Sequence, residues 1–314
     1  MSARATSTLI FFIGALWVAA PKPAMAYVRE LTTTGIPLAW KSPCVSMHIF
    51  LGDTPPVLTN DQYLKAATLS AQTWSQPFLA CSDLRLSTTP DVDANADVGY
   101  DGRNIIAFRK QAWCASSSPT ATSATSTCYS HAALAVTTLF KNKNTGEILD
   151  ADIVFNAVKF SWGDVVTLPN LGDGDTVDFQ NALTHEMGHV IGLDHSCYAP
   201  ADDQPRQLDN TGSPEVDCYA NPLLSEAILA STMYPSVTLK DTERRDLAPD
   251  DQQGTCDIYP YAHEVCPVAT DGGGCATLAG VSSPEHGRSL AAFLTTSAIA
   301  GLMLLLYRRR TRRN

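Results

Sequence analysis

The sequence predicts an exported α+β domain in which short strands build a mixed sheet above a histidine-bearing helix. Three observations carry that expectation. Short β-like runs are preceded and followed by helical patterns. Eight of the nine cysteines form an even set behind an export-type leader. With 45% hydrophobic and 17% charged residues, the 314-residue chain has the composition of a packed core, which excludes disorder and repetitive fibres. Outside the two ends, 14 basic residues face all 32 acidic ones between positions 27 and 287. Such a body repels phosphate backbones, so no nucleic-acid partner is expected.

Residues 1–26 read as a signal peptide: basic Arg4, an apolar run from Leu9 to Ala20, and the small-x-small end Ala24-Met25-Ala26. Pro21 and Pro23 directly behind the run argue against a buried helix. The mature chain is expected to begin at Tyr27, and residues 27–261 to form one domain of ordinary size. Val45 to Leu51 reads as a strand. Thr59, Asn60 and Asp61 offer caps for a helix to about Gln76, with Tyr63, Ala66, Ala67, Ala71 and Trp74 near helical spacing, and Pro77 stops it. Leu84 to Ser87, Ile105 to Phe108, Ala133 to Phe140 and Ala151 to Phe155 are further strands. Lys141 to Gly146 is the turn between the last two. Ala115 to Thr127, rich in Ala, Ser and Thr, reads as an exposed loop.

Setting Cys275 aside, the cysteines are expected to pair in sequence order: Cys44 with Cys81, Cys114 with Cys128, Cys197 with Cys218, and Cys256 with Cys266. That is one pairing among the 105 that eight cysteines allow. The absence of C-x-x-C in the sequence gives a cysteine zinc site no support.

The stretch from Leu183 to Ser196 carries the chemistry. Residues four apart share a helix face, so His185 and His189 can present two imidazoles to one tetrahedral metal. Glu186, one position round, reaches a metal-bound water without ligating the ion. Gly192 can end the helix at positive φ and return His195 as a third ligand, leaving a fourth position open, the mark of a catalytic zinc site. With 7 His and 19 Gly in 314 residues, requiring His195 and Gly192 cuts a chance match roughly 45-fold and roughly 17-fold further.

This extended zinc motif resembles that of the metzincin metalloproteases. Ser231-Thr-Met233-Tyr-Pro235 looks like their Met-turn, whose methionine lies under the metal. Within the clan, Ser196 after the third histidine resembles the matrixins, where astacins usually carry Glu and adamalysins Asp. Leu247-Ala-Pro249-Asp250-Asp251 through Gly254 to Tyr259 is similar to the matrixin C-terminal helix, although Pro and paired acids also favour any helix start. The resemblance covers about Leu38 to Tyr259. It implies a twisted, mixed and mostly parallel five-stranded sheet with a zinc-bearing helix, a Met-turn and a C-terminal helix. It implies one catalytic Zn2+ on His185, His189 and His195, with Glu186 as general base and acid, in a monomer acting on extended protein or peptide substrates.

The chain departs from animal matrixins around its last strand. Val154, Asn156 and Lys159 stand where those carry ligands for structural zinc and calcium. Leu171-Gly-Asp173-Gly-Asp175-Thr-Val-Asp178 offers carboxylates for Ca2+, an acidic surface turn being the alternative. The stretch from Ser196 to Ala230 is expected to form a disulfide-pinned loop near the cleft.

At the other end, residues 262–289 form a Gly-rich linker with the lone Cys275, 290–307 an uncharged stretch long enough to span a membrane, and 308–314 an Arg-rich tail held in the cytoplasm. Together they resemble the C-terminal sorting tags of myxobacterial surface proteins, which implies processing and lipid attachment near Cys275 and a temporary membrane span; a plain single-span anchor is the alternative. The expected location is the cell envelope or surface, or the medium after processing. The expected activity is that of a zinc endopeptidase, the alternative being an inactive surface-displayed binding module on the same fold.

Overall fold

In the computed structural model the described residues are 26–266 except 76–78, 93–95, 123, 125–126, 168–175, 200–205, 220–223 and 264–265. They belong to the first of two units into which the chain divides, Met1–Pro267. All but Ala26 of the expected signal peptide at 1–26, Cys275, the expected span at 290–307, the Arg-rich tail and residues 171–175 with Asp173 and Asp175 lie outside the described residues. Among those described, no helix is long and apolar enough to cross a membrane.

The first helix, α1 (Asn60–Thr73), starts at a reciprocal cap. Thr59 Oγ1 accepts from the Gln62 amide at 3.2 Å, and Gln62 Oε1 accepts from the Thr59 amide at 2.9 Å. Its buried face, Tyr63, Ala66, Ala67, Ser70 and Ala71, is mostly small, which lets a second helix come close. That helix is α2 (Phe179–Val190), capped by the Asp178 carboxylate, which accepts from the Asn181 amide at 2.8 Å. Polar stitches join the two. The Trp74 indole donates to the Thr184 carbonyl at 2.8 Å and the Ser70 hydroxyl to the Gln180 carbonyl at 3.2 Å.

Above them lies the mixed sheet. β2 (Ala39–Trp40), β3 (Cys44–Phe50), β4 (Arg85–Asp91), β5 (Ile105–Arg109) and β7 (Glu147–Asn156) run parallel in the order β2-β7-β5-β3-β4. β6 (Ala135–Lys141) lies antiparallel to β7, to which it is joined by the expected turn. The mostly parallel arrangement of five main strands agrees with expectation, and the two-residue β2 adds a sixth. β7 starts at Glu147 rather than Ala151 and is buried from Asp150 to Asn156, as a strand covered on both faces should be.

Under the sheet, Phe108, Phe155 and Trp162 meet Tyr63 of α1 and Phe179 of α2, with Phe179 centroids 5.1 Å from Tyr63 and 5.0 Å from Phe155. On the opposite face Phe50, Ala107 and Val154 pack with Ala96, from the connection between β4 and β5, and Trp113, from the connection after β5. Smaller pairs complete the chain: β1 (Val28–Arg29) with β10 (Leu193–Asp194), and β8 (Ser161–Gly163) with β9 (Thr176–Asp178). A four-residue α3 (Glu226–Leu229) and the C-terminal α4 (Pro249–Ile258), with proline at its start, follow.

Two disulfides form as expected, Cys114 to Cys128 and Cys197 to Cys218. The expected pairs Cys44–Cys81 and Cys256–Cys266 are wrong; Cys44 joins Cys266 and Cys81 joins Cys256. The reason is the path of the chain leaving α4. It runs back along the loop before β4, where the Asp83 amide donates to the Tyr259 carbonyl at 3.1 Å and the Tyr261 amide to the Cys81 carbonyl at 3.0 Å. Cys256 therefore meets Cys81, and the chain continues to Cys44 at the start of β3. These bonds span 222 and 175 residues, and long loops gain most from closure in the chain-entropy account. The body thus extends to Cys266, beyond the expected boundary at Tyr261. The four disulfides among the described residues suggest an oxidising environment, of the kind met by exported proteins.

Two buried carboxylates of β7 hold the loop ahead of β5. Asp150 Oδ2 accepts from the Asp101 and Gly102 amides at 2.9 and 2.7 Å, while Asp152 accepts from Gly99 at 2.9 Å and Ile105 at 3.1 Å. Burial outweighs these amides and, with Asp150 and Asp101 nearby, pushes Asp152 from 3.8 up to about 7. The folded chain therefore keeps a proton that the unfolded chain releases. That contribution to stability is full below about pH 4 and is lost as the pH rises through about 7, on the order of 4 kcal/mol at about 1.4 kcal/mol per pH unit. Asp152→Asn cannot titrate. Urea midpoints of the wild type should fall more steeply than those of the variant between pH 4 and 7; parallel profiles would contradict the assignment.

Candidate metal centre

The i, i+4 spacing sets the His185 and His189 rings on one face of α2 with centroids 5.0 Å apart. The helix then stops at Gly192. Its amide donates to the His189 carbonyl at 2.9 Å, and its φ is +92°, the left-handed region. A Cβ there would lie 2.5 Å from the Leu38 carbonyl oxygen, so both torsion and space demand glycine. The last carbonyls of α2 find side-chain donors: Val190 accepts from the Trp40 indole at 2.8 Å and Ile191 from the Tyr259 hydroxyl at 3.0 Å.

Past the reversal, β10 leads directly into His195. Its ring lies 5.3 Å from that of His185 and 4.8 Å from that of His189. One donor nitrogen from each of the three histidines lies within 4.8 Å of the others. His185 Nδ1 is 2.7 Å from the Thr232 carbonyl and His189 Nδ1 is 3.0 Å from the Leu193 carbonyl. A carbonyl only accepts, so each Nδ1 carries the hydrogen and each Nε2 is left as the donor atom for a cation. Three imidazoles so arranged fit a borderline-soft divalent metal ion.

The charges around the rings differ. Burial holds His185 well below its ordinary value, and the two neighbouring imidazoles lower it further. Burial also opposes charge on His189, but Glu30, Glu186 and Asp194 outweigh it and push this ring up to about 9. The same carboxylates make positive charge favourable at this end of the site.

The turn from Ser231 to Pro235 packs against α2. Met233 is buried, its carbonyl accepts from the Ser196 amide at 3.0 Å, and its sulfur occupies the place a Cβ on Gly188 would take. Behind the turn, Asp251 of α4 accepts from the Thr232 amide at 2.7 Å and the Ser231 hydroxyl at 3.2 Å. Burial and the adjacent Asp250 push Asp251 up to about 7. The paired acids thus do more than start a helix, since Asp251 holds the residue whose carbonyl orients His185.

Glu186 is buried, and its Oε2 accepts from the Thr137 hydroxyl of β6 at 2.6 Å. A cleft of about 720 Å³ runs from Ala133 and Leu134, just ahead of β6, along Ala135 to Thr137 of that strand and past the three histidines. The structure brings His185, Glu186, His189 and His195 to one cleft, with Met233 packed against Gly188 of the same helix, while Cys275 lies outside the described residues. Of the proposed calcium ligands only Asp178 is described besides its two chain neighbours, and its carboxylate caps α2 and accepts from Arg245 Nε at 2.8 Å. Thr137, Glu30 and Asp251 have parts at the site that no spacing rule announces, because each arrives from a distant strand or helix. Comparison with protein-family models gave no match, and comparison with curated proteins gave none.

Dialysis against Zn2+ should leave about one equivalent bound per chain by elemental analysis, and His185→Ala or His195→Ala should abolish it; full occupancy in either variant would exclude the three-histidine centre. Gly188→Ala should cost about 1–3 kcal/mol in chemical denaturation, because Met233 and Trp74 leave no room for a methyl group.

Proposed function

We propose that this protein is a zinc-dependent endopeptidase of the metzincin class, matrixin-like, that cuts extended extracellular proteins or peptides. The observation supporting it most is the joint placement of three imidazoles, a buried carboxylate and a sheet edge along one cleft. His185, His189 and His195 would hold the zinc, which supplies an acidified water and a polarised carbonyl when bound.

Glu186 takes the proton of the attacking water and returns it to the leaving amine. Thr137 donates to Oε2 and so fixes which way the carboxylate turns. Among the described residues β6 pairs with β7 on one side only, and its residues Ala135 to Thr137 line the cleft. An extended peptide laid there adds a strand, taking its affinity from main-chain hydrogen bonds. The Met-turn, Ser196 and the paired acids of α4 support the matrixin reading, in which Met233 floors the site without touching substrate. The Cys-rich, strongly acidic body and the leader-like start support export.

Glu186→Ala should keep its zinc and lose cleavage of casein or gelatin by about 10²–10⁴-fold. Undiminished turnover would remove Glu186 from the mechanism, whereas a zinc-loaded wild type that cuts nothing in a broad peptide library would favour the binding-module reading. Thr137→Val should lower kcat by about tenfold or more, as befits a hydrogen bond to a charged group, with zinc content unchanged.

A further inference from the structure

We propose that Glu30, brought by the N-terminal strand, is a positioning residue of the metal centre that holds His189 from behind. The inference rests on the three-histidine reading and extends it to a part of the chain far from the zinc motif.

The geometry begins with strand register. β1 runs antiparallel to β10, Arg29 opposite Leu193 and Val28 opposite Asp194. The Glu30 amide then donates to the Gly192 carbonyl at 3.0 Å, and the Glu30 carbonyl accepts from the Leu38 amide at 2.8 Å. These backbone bonds fix Glu30 against the reversal that follows α2. Tyr27 secures the start of the strand: its amide donates to Asn210 Oδ1 at 3.2 Å, its carbonyl accepts from the Asn210 amide at 3.0 Å, and its hydroxyl donates to Asp257 at 2.8 Å.

So placed, Glu30 Oε1 lies 3.6 Å from His189 Nδ1, with both side chains largely enclosed. Glu30, His189 and Asp194 each offer an atom within 4.8 Å of the others. Asp194 is already engaged, its Oδ1 accepting from the His195 amide and its Oδ2 from Gln207 Nε2, both at 2.7 Å. Glu30 is the carboxylate left to face the ring. His185 has a carbonyl behind its Nδ1, whereas His189 has a carbonyl and a carboxylate. Three neutral imidazoles leave the double charge of a bound metal uncompensated. A carboxylate behind one of them restrains the ring and makes its Nε2 a better donor, an effect that in metal sites typically alters affinity by about 10–100-fold.

Glu30→Gln keeps the volume and every backbone bond of β1 and removes only the charge. Full-length wild type, Glu30→Gln and Glu30→Asp are titrated with Zn2+ against a chromophoric chelator, and the Co2+-loaded forms are compared by visible absorption. The expected result is one tight site in the wild type, a Zn2+ Kd raised about tenfold or more in Glu30→Gln with altered Co2+ bands, and partial recovery in Glu30→Asp. Far-UV circular dichroism and the melting temperature without added metal should match the wild type. A Kd within twofold of wild type in Glu30→Gln would overturn the inference and leave the three-histidine centre standing. A wild type that binds no Zn2+ would overturn both.

Discussion

The arrangement depends on one chain reversal. Two imidazoles on a helix face can hold a cation from one side only, and the third has to come back from beyond the helix end. Gly192 makes the return within three residues, at a φ of +92° and with the Leu38 carbonyl where a side chain would start. A β-carbon would meet both the torsional cost, of order 1–3 kcal/mol, and a steric collision. The surroundings hold the reversal in place: β10 pairs with β1, and Trp40 and Tyr259 take the carbonyls that the ended helix leaves open. The site therefore depends on contacts from the N-terminal segment, the sheet and the C-terminal helix together.

Buried acids supply much of that support. Asp251 orders the turn at Ser231 and Thr232 from behind and, through Thr232, the tautomer and angle of His185. Asp150 and Asp152 bind the backbone of the loop before β5. In both places a carboxylate stands close to another and accepts from main-chain amides, and burial lifts Asp152 and Asp251 far enough that protonation becomes part of folding. Among the described residues, these loops are held by amide-to-carboxylate bonds and disulfides.

What the sequence reveals follows from how far each signal reaches. His185, Glu186, His189, Gly192 and His195 were legible because helical period and a glycine reversal are local rules, acting within eleven residues. The capped α1 and the five main strands were legible for the same reason. β1, β8, β9 and β10 were not, since two or three residues carry no periodicity. The Cys44–Cys266 and Cys81–Cys256 bonds depend on where the chain goes after α4, which neighbouring residues do not encode. Thr137 is 49 positions from Glu186 and has the look of any strand threonine; only the pairing of β6 with β7 brings its hydroxyl to the carboxylate.

That pairing bears on the proposed chemistry. Successive side chains of a strand point to opposite faces, so the register that turns Thr137 toward α2 turns Val136 and Thr138 away from it. The same backbone forms the edge on which an extended peptide would align. Peptide register and the orientation of Glu186 are then set by a single strand, and a one-residue slip of β6 would reverse every one of its side chains. The residues of that strand are joined to β7 from Ala135 to Lys141, with one irregularity between Phe140 and Lys141, beyond the stretch that lines the cleft. The regular part of the ladder is the part that carries Thr137, so the hydroxyl on the Glu186 carboxylate is held by the sheet rather than by a loop.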